Sequence, residues 1–317
     1  MRIFIAAAGS TVHHQTAREV FLALAKADSI GEHVTSAEPE SADAILFVDS
    51  HQHPDDPYLG ALRRSELVRR FPDRIYVYDE RDFPFFTFPG LYVGATPRMA
   101  RAWPVAGAPY PHVRNDVPDS MRPPDLLFSF RGSLTHPVRR AVLSLSHPRA
   151  LVEDTTALDF FAIDRDPESR RRALREFAVS VMRAKFILCP RGHGPSSFRL
   201  FETLHAGRVP VVISDDWLAP PFIEWDKCVV RVPESRVSQI PKLLEEREDD
   251  WPDLVAAGRR AVSEHLASDR LWHHFGTSLA QVRLRGRRDP AVWWMQRPVL
   301  RLHARAVRGR FSSLVRR

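Results

Sequence analysis

Residues 184–216 read AKFILCPRGHGPSSFRLFETLHAGRVPVVISDD, and this stretch decides the fold. Phe186–Cys189 is a short apolar run without alternation, the pattern of a strand covered on both faces. Pro190–Pro195 is a Gly/Pro loop, and Ser196 or Ser197 is placed to cap a helix running to about His205. Gly207 stands where a left-handed C-cap belongs, and Val209–Ser214 is the next apolar run. Strand, loop, helix and strand in so few residues make one unit of a parallel sheet.

The junction of that loop with that helix has the chemistry of an anion site. Free backbone N–H groups and the helix dipole both favour a phosphate there. Arg191 adds charge, Gly192 and Gly194 permit close approach, and Ser196 and Ser197 add hydroxyl donors. Arg199 and Glu202 are three apart and share a helix face. A carboxylate there can accept two ribose hydroxyls, and a guanidinium can hold a diphosphate with its planar fork. The plainer alternative is a capped surface helix with an Arg–Glu pair, since the loop is neither a Walker motif nor G-x-G-x-x-G.

The same alternation extends outward in both directions. Arg2–Ala7, Ala44–Val48, Arg74–Tyr78, Leu126–Phe130, Ala150–Glu153 and Cys228–Val232 read as further strands. Helical patterns cover Thr16–Ala27, His136–Ser146, Glu168–Ala184, Ser235–Glu246, Pro252–Leu266 and Asp269–Leu284. Phe83–Pro124 is rich in proline and aromatics with weak periodicity and reads as a long irregular connection holding the domain boundary. The expected organisation is a first domain over 1–120, a second over 121–284, and a Trp/Arg-rich basic tail over 285–317.

Charge distribution bears on the class of partner. The net charge is +7, but from Arg283 onward there are eleven arginines against the single acid Asp289. The stretch from Arg283 thus carries +10 and the remainder −3, so the folded body is slightly acidic and the basicity is local. Such a tail marks contact with an anionic surface; beside it, Trp293 and Trp294 fit a peripheral membrane contact or packing on the body. No nucleic-acid-binding module is recognisable in the body, and nucleic acid is not an expected partner. The two cysteines, Cys189 and Cys228, flank apolar runs and read as buried thiols rather than a disulfide framework. No apolar run reaches membrane-spanning length and MRIFIAAAGS is too short for a signal peptide, so the expected location is cytoplasmic, with the tail at the inner membrane face.

The words CPRG, GPSSFRLFE and AGRVPVVISD resemble the signature of the exostosin family, glycosyltransferase family 47. The resemblance continues through WLAPPFIEWDKCVVRVPE, FRGSLTHPVRRAVL and, more weakly, DFPFFTFPGLYV. Its convincing part spans about Phe128 to Glu234, and it departs from the family at Arg208, where cysteine is usual. The resemblance implies an α/β, GT-B-like fold: two Rossmann-like domains with a cleft between them. It further implies an inverting transferase that moves a sugar from a nucleotide-sugar donor, a UDP-sugar by preference, to a glycan or glycolipid acceptor, with no metal or other cofactor. The alternative from another class is a catalytically inactive sugar-nucleotide-binding or scaffold protein.

Carried over residue by residue, the resemblance brings Arg131 and Gly132 to the diphosphate. Arg191, Gly194, Ser196 and Ser197 form its cradle, Arg199 neutralises the leaving group, and Glu202 binds ribose. An in-line displacement needs a base on the acceptor side. Candidates at strand ends of the first domain are His13, His14, Asp49, His51, Asp79, Glu80 and Asp82, with Asp82 preferred because it sits in a segment of family resemblance. Asp49, His51 and His53 alternate in a way that invites a metal, although solvated loop side chains are the expectation. Asp215–Asp216 reads as a strand-end turn, not as a metal-binding pair, and His273 and His274 read as ordinary helix histidines.

Overall fold

The structure is a computed structural model; it describes residues 1–286 apart from 8, 10–11, 50–61, 63, 83–87, 114, 116, 118–122 and 159–165. Among the described residues the chain forms two compact units. The first contains Met1–Pro111, Leu218–Phe222 and the chain from Ser268; the second contains His112–Trp217 and Ile223–Ala267. Relative to the expected boundary at 120/121, the division falls earlier, and the last helix belongs to the first unit.

In the first unit the strands are β1 (Arg2–Ala7), β2 (Val34–Thr35), β3 (Ala44–Asp49), β4 (Ile75–Asp79), β5 (Gly90–Tyr92) and β6 (Val105–Gly107). Its helices are α1 (Val12–Ala27), α2 (Glu66–Arg70) and α3 (Pro97–Ala102), and the chain returns to it as a long final helix, Leu271–Leu284. The strands make one six-stranded sheet in the order β2-β1-β3-β4-β5-β6, with every recorded pairing parallel. Ile45, Phe47, Ile75, Val77 and Tyr92 are buried together at its centre, as the apolar runs require.

The stretch expected to be an irregular connection is partly regular. It supplies β5, α3 and β6, so two more strands extend the first sheet. Strands of three residues are too short to show a period, and β5 is opened by a glycine. A Cβ on Gly90 would lie 2.0 Å from the Val77 carbonyl oxygen, so the close approach of β5 to β4 requires that residue type.

In the second unit the strands are β7 (Leu126–Gly132), β8 (Ala150–Asp154), β9 (Ala184–Pro190), β10 (Val209–Ile213) and β11 (Val230–Arg231). The helices are α4 (Pro137–Leu143), α5 (Pro167–Arg183), α6 (Phe198–His205), α7 (Ile240–Glu246) and α8 (Trp251–Ala261), and the final helix of the chain is α9. The sheet order is β11-β10-β9-β7-β8, again parallel throughout. Phe128, Phe186, Leu188, Val209, Val211 and Ile213 form its fully buried centre. Each such side chain contributes about 1.5–3 kcal/mol by leaving water. The parallel sheets agree with the alternating runs, and two such α/β units agree with the fold that the family resemblance implies.

The order of the second sheet determines where a ligand can sit. From β7 the chain crosses to β8 on one side and then to β9 on the other, so the connections leave β7 and β9 in opposite directions. At such a switch point the loops beyond the carboxyl ends of the two strands part and leave a crevice. The loops in question are Ser133–His136 after β7 and Arg191–Ser197 after β9.

Candidate active site

Local sequence shapes the second of these loops. Ser197 is extended (φ −146°, ψ 134°) and precedes the first turn of α6, but its side chain makes no capping bond. Gly207 adopts φ 63°, the left-handed conformation expected of the residue that turns the chain from α6 into β10. The neighbouring Arg208 is buried and donates from Nη2 to the Met182 carbonyl at 2.8 Å and from Nη1 to the Gly207 carbonyl at 3.2 Å. It thus ties the end of α5 to the α6–β10 turn, a packing role.

Arg199 is the unusual cation of the unit. Its Nη2 donates to the Arg131 carbonyl at 2.6 Å, at the end of β7. Its guanidinium carbon lies 4.8 Å from the Phe130 ring centroid and 5.7 Å from that of Phe177. Nε and Nη1 are buried and have no hydrogen-bond partner among the described residues. Burial lowers its pKa, while Cys189 and Glu202 act in the opposite sense. Two unmatched donors on a desolvated cation cost several kcal/mol unless an anion meets them. The approach depends on Gly132, where a Cβ would stand 2.9 Å from Phe130 Cζ and 3.1 Å from Arg199 Nη2.

Other unmatched polar atoms belong to the same strand ends. Ser196 Oγ, Thr135 Oγ1, Thr155 Oγ1 and Arg191 Nε are buried without a hydrogen-bond partner among the described residues. Thr155 follows β8, and its N–H donates to the Gly132 carbonyl at 3.2 Å. Gly194 is buried within the β9–α6 loop. A Cβ on Gly192 would lie 3.3 Å from Thr135 Oγ1, so this glycine brings the β7 and β9 loops together.

The structure distributes the remaining expected residues differently from one another. The Arg131 guanidinium is engaged by two carboxylates: Nε donates to Glu153 at 2.7 Å and Nη2 pairs with Glu176. Its carbonyl is the group that accepts from Arg199 Nη2. Arg191 pairs through Nη1 with Asp216 at 3.0 Å, with Glu234 at 3.8 Å. Glu202 is 2 % exposed, and its Oε1 accepts from the N–H of Asn115 at 2.9 Å and from Asn115 Nδ2 at 2.8 Å. Asp215 and Asp216 form the expected turn; Asp215 Oδ1 accepts from the Glu234 N–H at 3.1 Å.

Three contributors carried no individual assignment in the sequence. Arg139, within the HPVRR word, donates from Nε to the Arg191 carbonyl at 2.9 Å and from Nη1 to the Ser133 carbonyl at 3.0 Å, joining both loops. His136 caps α4 by accepting from the Val138 N–H at 3.3 Å. Burial, and then the Arg191 cation, lower its pKa. Asn115 lay in the segment read as irregular, where no periodicity marks a partner.

Of the candidate bases, Asp82 lies half-buried in the first unit, after β4. Asp79 is 1 % exposed, and both of its carboxylate oxygens accept from Arg81. Glu80 is 3 % exposed. The side chains of His13, His14 and Asp49, and residues His51 and His53, lie outside the described residues, as does the tail from 287 with Trp293 and Trp294. Both cysteines are buried free thiols, with burial pushing Cys189 up to about 12 and Cys228 up to about 11.

Fold and site together define an α/β protein of two parallel-sheet units, one of which presents unmatched cationic and hydroxyl donors at its switch point. Residues 94–247 match the exostosin GT47 domain. That segment of the chain is thus similar to the glycosyltransferase domain of exostosin-type family 47 proteins. Over 97 residues it is 42% identical to an exostosin-1 homolog of Caenorhabditis elegans, covering 30% of this chain and 23% of that protein. Over 66 residues it is 41% identical to a probable glucuronosyltransferase, GUT1, of Oryza sativa subsp. japonica, covering 20% of this chain and 16% of that protein. The chain thus spans about a quarter or less of the length of these curated relatives. Among solved structures, that of WaaG, a glycosyltransferase involved in lipopolysaccharide biosynthesis, aligns over 90% of this chain and 99% of its own with 10% identity and a TM-score of 0.38.

Proposed function

We propose that the chain is an inverting glycosyltransferase that takes a nucleotide-sugar donor, a UDP-sugar by preference, and passes the sugar to a glycan or glycolipid hydroxyl. The observation that carries the reading is Arg199, whose Nε and Nη1 are buried and unmatched among the described residues at the end of β7. A diphosphate oxygen supplies the acceptor atoms those groups lack. Charge builds on the leaving diphosphate as the glycosidic bond breaks, so a fixed cation lowers the barrier more than it strengthens ground-state binding. The hydroxyls of Ser196 and Thr135 and the N–H groups at the start of α6 complete the cradle.

Donor binding needs no divalent metal in this reading. The arginines supply positive charge, and the nearest carboxylate pair is engaged within the protein: Asp215 with Glu234 and Asp216 with Arg191. Asp82 is proposed as the acceptor-side base, and the basic tail as a peripheral contact with anionic lipid. The deciding experiment is a thermal-shift and calorimetric screen of UDP, UDP-sugars and GDP-sugars, with and without chelator. Binding of a UDP compound that survives chelator is the expected result. Binding that vanishes with chelator and returns with manganese overturns the metal-free cradle. Asp82→Asn should abolish turnover while donor affinity stays unchanged.

A further inference from the structure

In the first unit, Glu32 and His33 occupy the connection between α1 and β2, and His273 lies in the first turn of α9. One ligand atom from each of the three lies within 4.8 Å of the others. His273 Nδ1 and Glu32 Oε2 are 3.6 Å apart. Around a tetrahedral zinc, with bonds of about 2.0–2.2 Å, ligand atoms stand about 3.3–3.5 Å from one another. The group is therefore within a small side-chain adjustment of a coordination shell.

The surroundings hold His33 with one nitrogen unused. Its carbonyl accepts from Trp272 Nε1 at 2.8 Å, and its Nε2 lies 3.1 Å from Thr277 Oγ1. The ring fills a slot that exists because residue 276 is glycine; a Cβ there would be 2.3 Å from His33 Cγ. Nδ1 of His33 and Nδ1 of His273 are both buried without a hydrogen-bond partner among the described residues. A hydrogen bond from Nε2–H to Thr277 would set the tautomer that leaves a lone pair on Nδ1, the arrangement by which outer groups orient metal-bound imidazoles.

We propose that Glu32, His33 and His273 form a three-ligand site for a divalent transition-metal ion of the zinc class, tying the start of α9 to the α1–β2 connection. Two imidazoles and a carboxylate suit zinc, cobalt, nickel or copper, whereas magnesium and calcium prefer oxygen alone. Three protein ligands leave one position for water on the exposed side of Glu32. The site joins residues about 240 apart in sequence, beside the existing bond from Ser29 Oγ to the Asp269 carbonyl. Its role is structural, and it belongs to the first unit, whereas the proposed donor cradle belongs to the second.

The test uses the full chain, stripped with chelator and dialysed, then titrated with Zn²⁺ by calorimetry and with Co²⁺ by absorption spectroscopy. The expected result is one ion per chain, tetrahedral Co²⁺ bands, and a melting temperature that climbs with free Zn²⁺. Glu32→Gln and His273→Gln should each weaken binding at least tenfold, and Thr277→Val by about ten- to a hundredfold through loss of the tautomer-setting bond. Should a histidine variant fail to fold, Glu32→Gln decides the matter, because that side chain is largely exposed. Absence of stoichiometric Zn²⁺ binding by the wild type, or binding that persists unchanged in Glu32→Gln and His273→Gln, overturns the site. UDP affinity, measured alongside, should be the same with and without Zn²⁺.

Discussion

At the scale of single residues, Arg199 and Glu202 sit three apart on α6 but face different tasks. Arg199 lies against the end of β7 with two donors unmatched, while Glu202 holds Asn115 through two bonds to one carboxylate oxygen. Arg199→Ala should lower turnover by about 10²–10³, the effect of removing one preorganised donor, with a smaller change in donor affinity. Lysine should not restore the rate, because an ammonium cannot reproduce the planar fork. If Glu202 exchanges its Asn115 bonds for ribose hydroxyls, Glu202→Gln should weaken donor binding ten- to a hundredfold, the worth of about 1.5–3 kcal/mol for charge-assisted bonds. Calorimetry with UDP measures this directly. Unchanged donor affinity together with a lowered melting temperature would instead assign Glu202 to holding Asn115 alone.

At the scale of elements, the second sheet is secured at the edge opposite its candidate site. Glu248, after α7, accepts from Arg149 at 2.6 and 2.7 Å and from Lys185 at 2.8 Å, which fastens the starts of β8 and β9. Those two cations hold the carboxyl down at about 2. A carboxylate whose pKa is depressed on folding stabilises above its unfolded value, near 4.5, and loses that contribution as pH falls through the folded one. Glu248→Gln should therefore cost about 1 kcal/mol at pH 7, after allowance for solvent screening, and the difference from wild type should close between about pH 4.5 and pH 2. Denaturant titrations at several pH values would show it, and UDP binding should not change. The expected strands of this sheet were legible because buried parallel strands are continuous apolar runs. The pieces β2, β5 and β6 were not, being only two or three residues long.

At the scale of the whole molecule, α9 is the element whose membership matters most. Phe275 stacks on Phe21 at 5.2 Å and meets Tyr78 edge-on at 5.5 Å, and Trp272 is fully buried, all within the first unit. Phe275→Ala should destabilise that unit by about 3–5 kcal/mol, while UDP binding by the second unit persists at temperatures where the first has not melted. Hydrogen exchange would separate the two. The thiols provide an independent check on burial: with Cys189 raised to about 12 and Cys228 to about 11, neither should react rapidly with a disulfide reagent at pH 8, and both should react on unfolding.

The amino-acid sequence by itself determined the α/β class, the strand–loop–helix unit around residues 184–216, the left-handed turn at Gly207 and the buried state of both thiols. Each of these depends on neighbours in the chain: apolar run length, capping chemistry and the freedom of glycine at positive φ. Only the tertiary structure decided that Arg131 spends its charge on Glu153 and Glu176, that Asn115 meets Glu202, and that α9 returns to the first unit. It alone brought His33 and His273 together. Those facts depend on partners brought together by folding from distant parts of the chain, or from segments without periodicity, and no local pattern records which distant side chain will arrive.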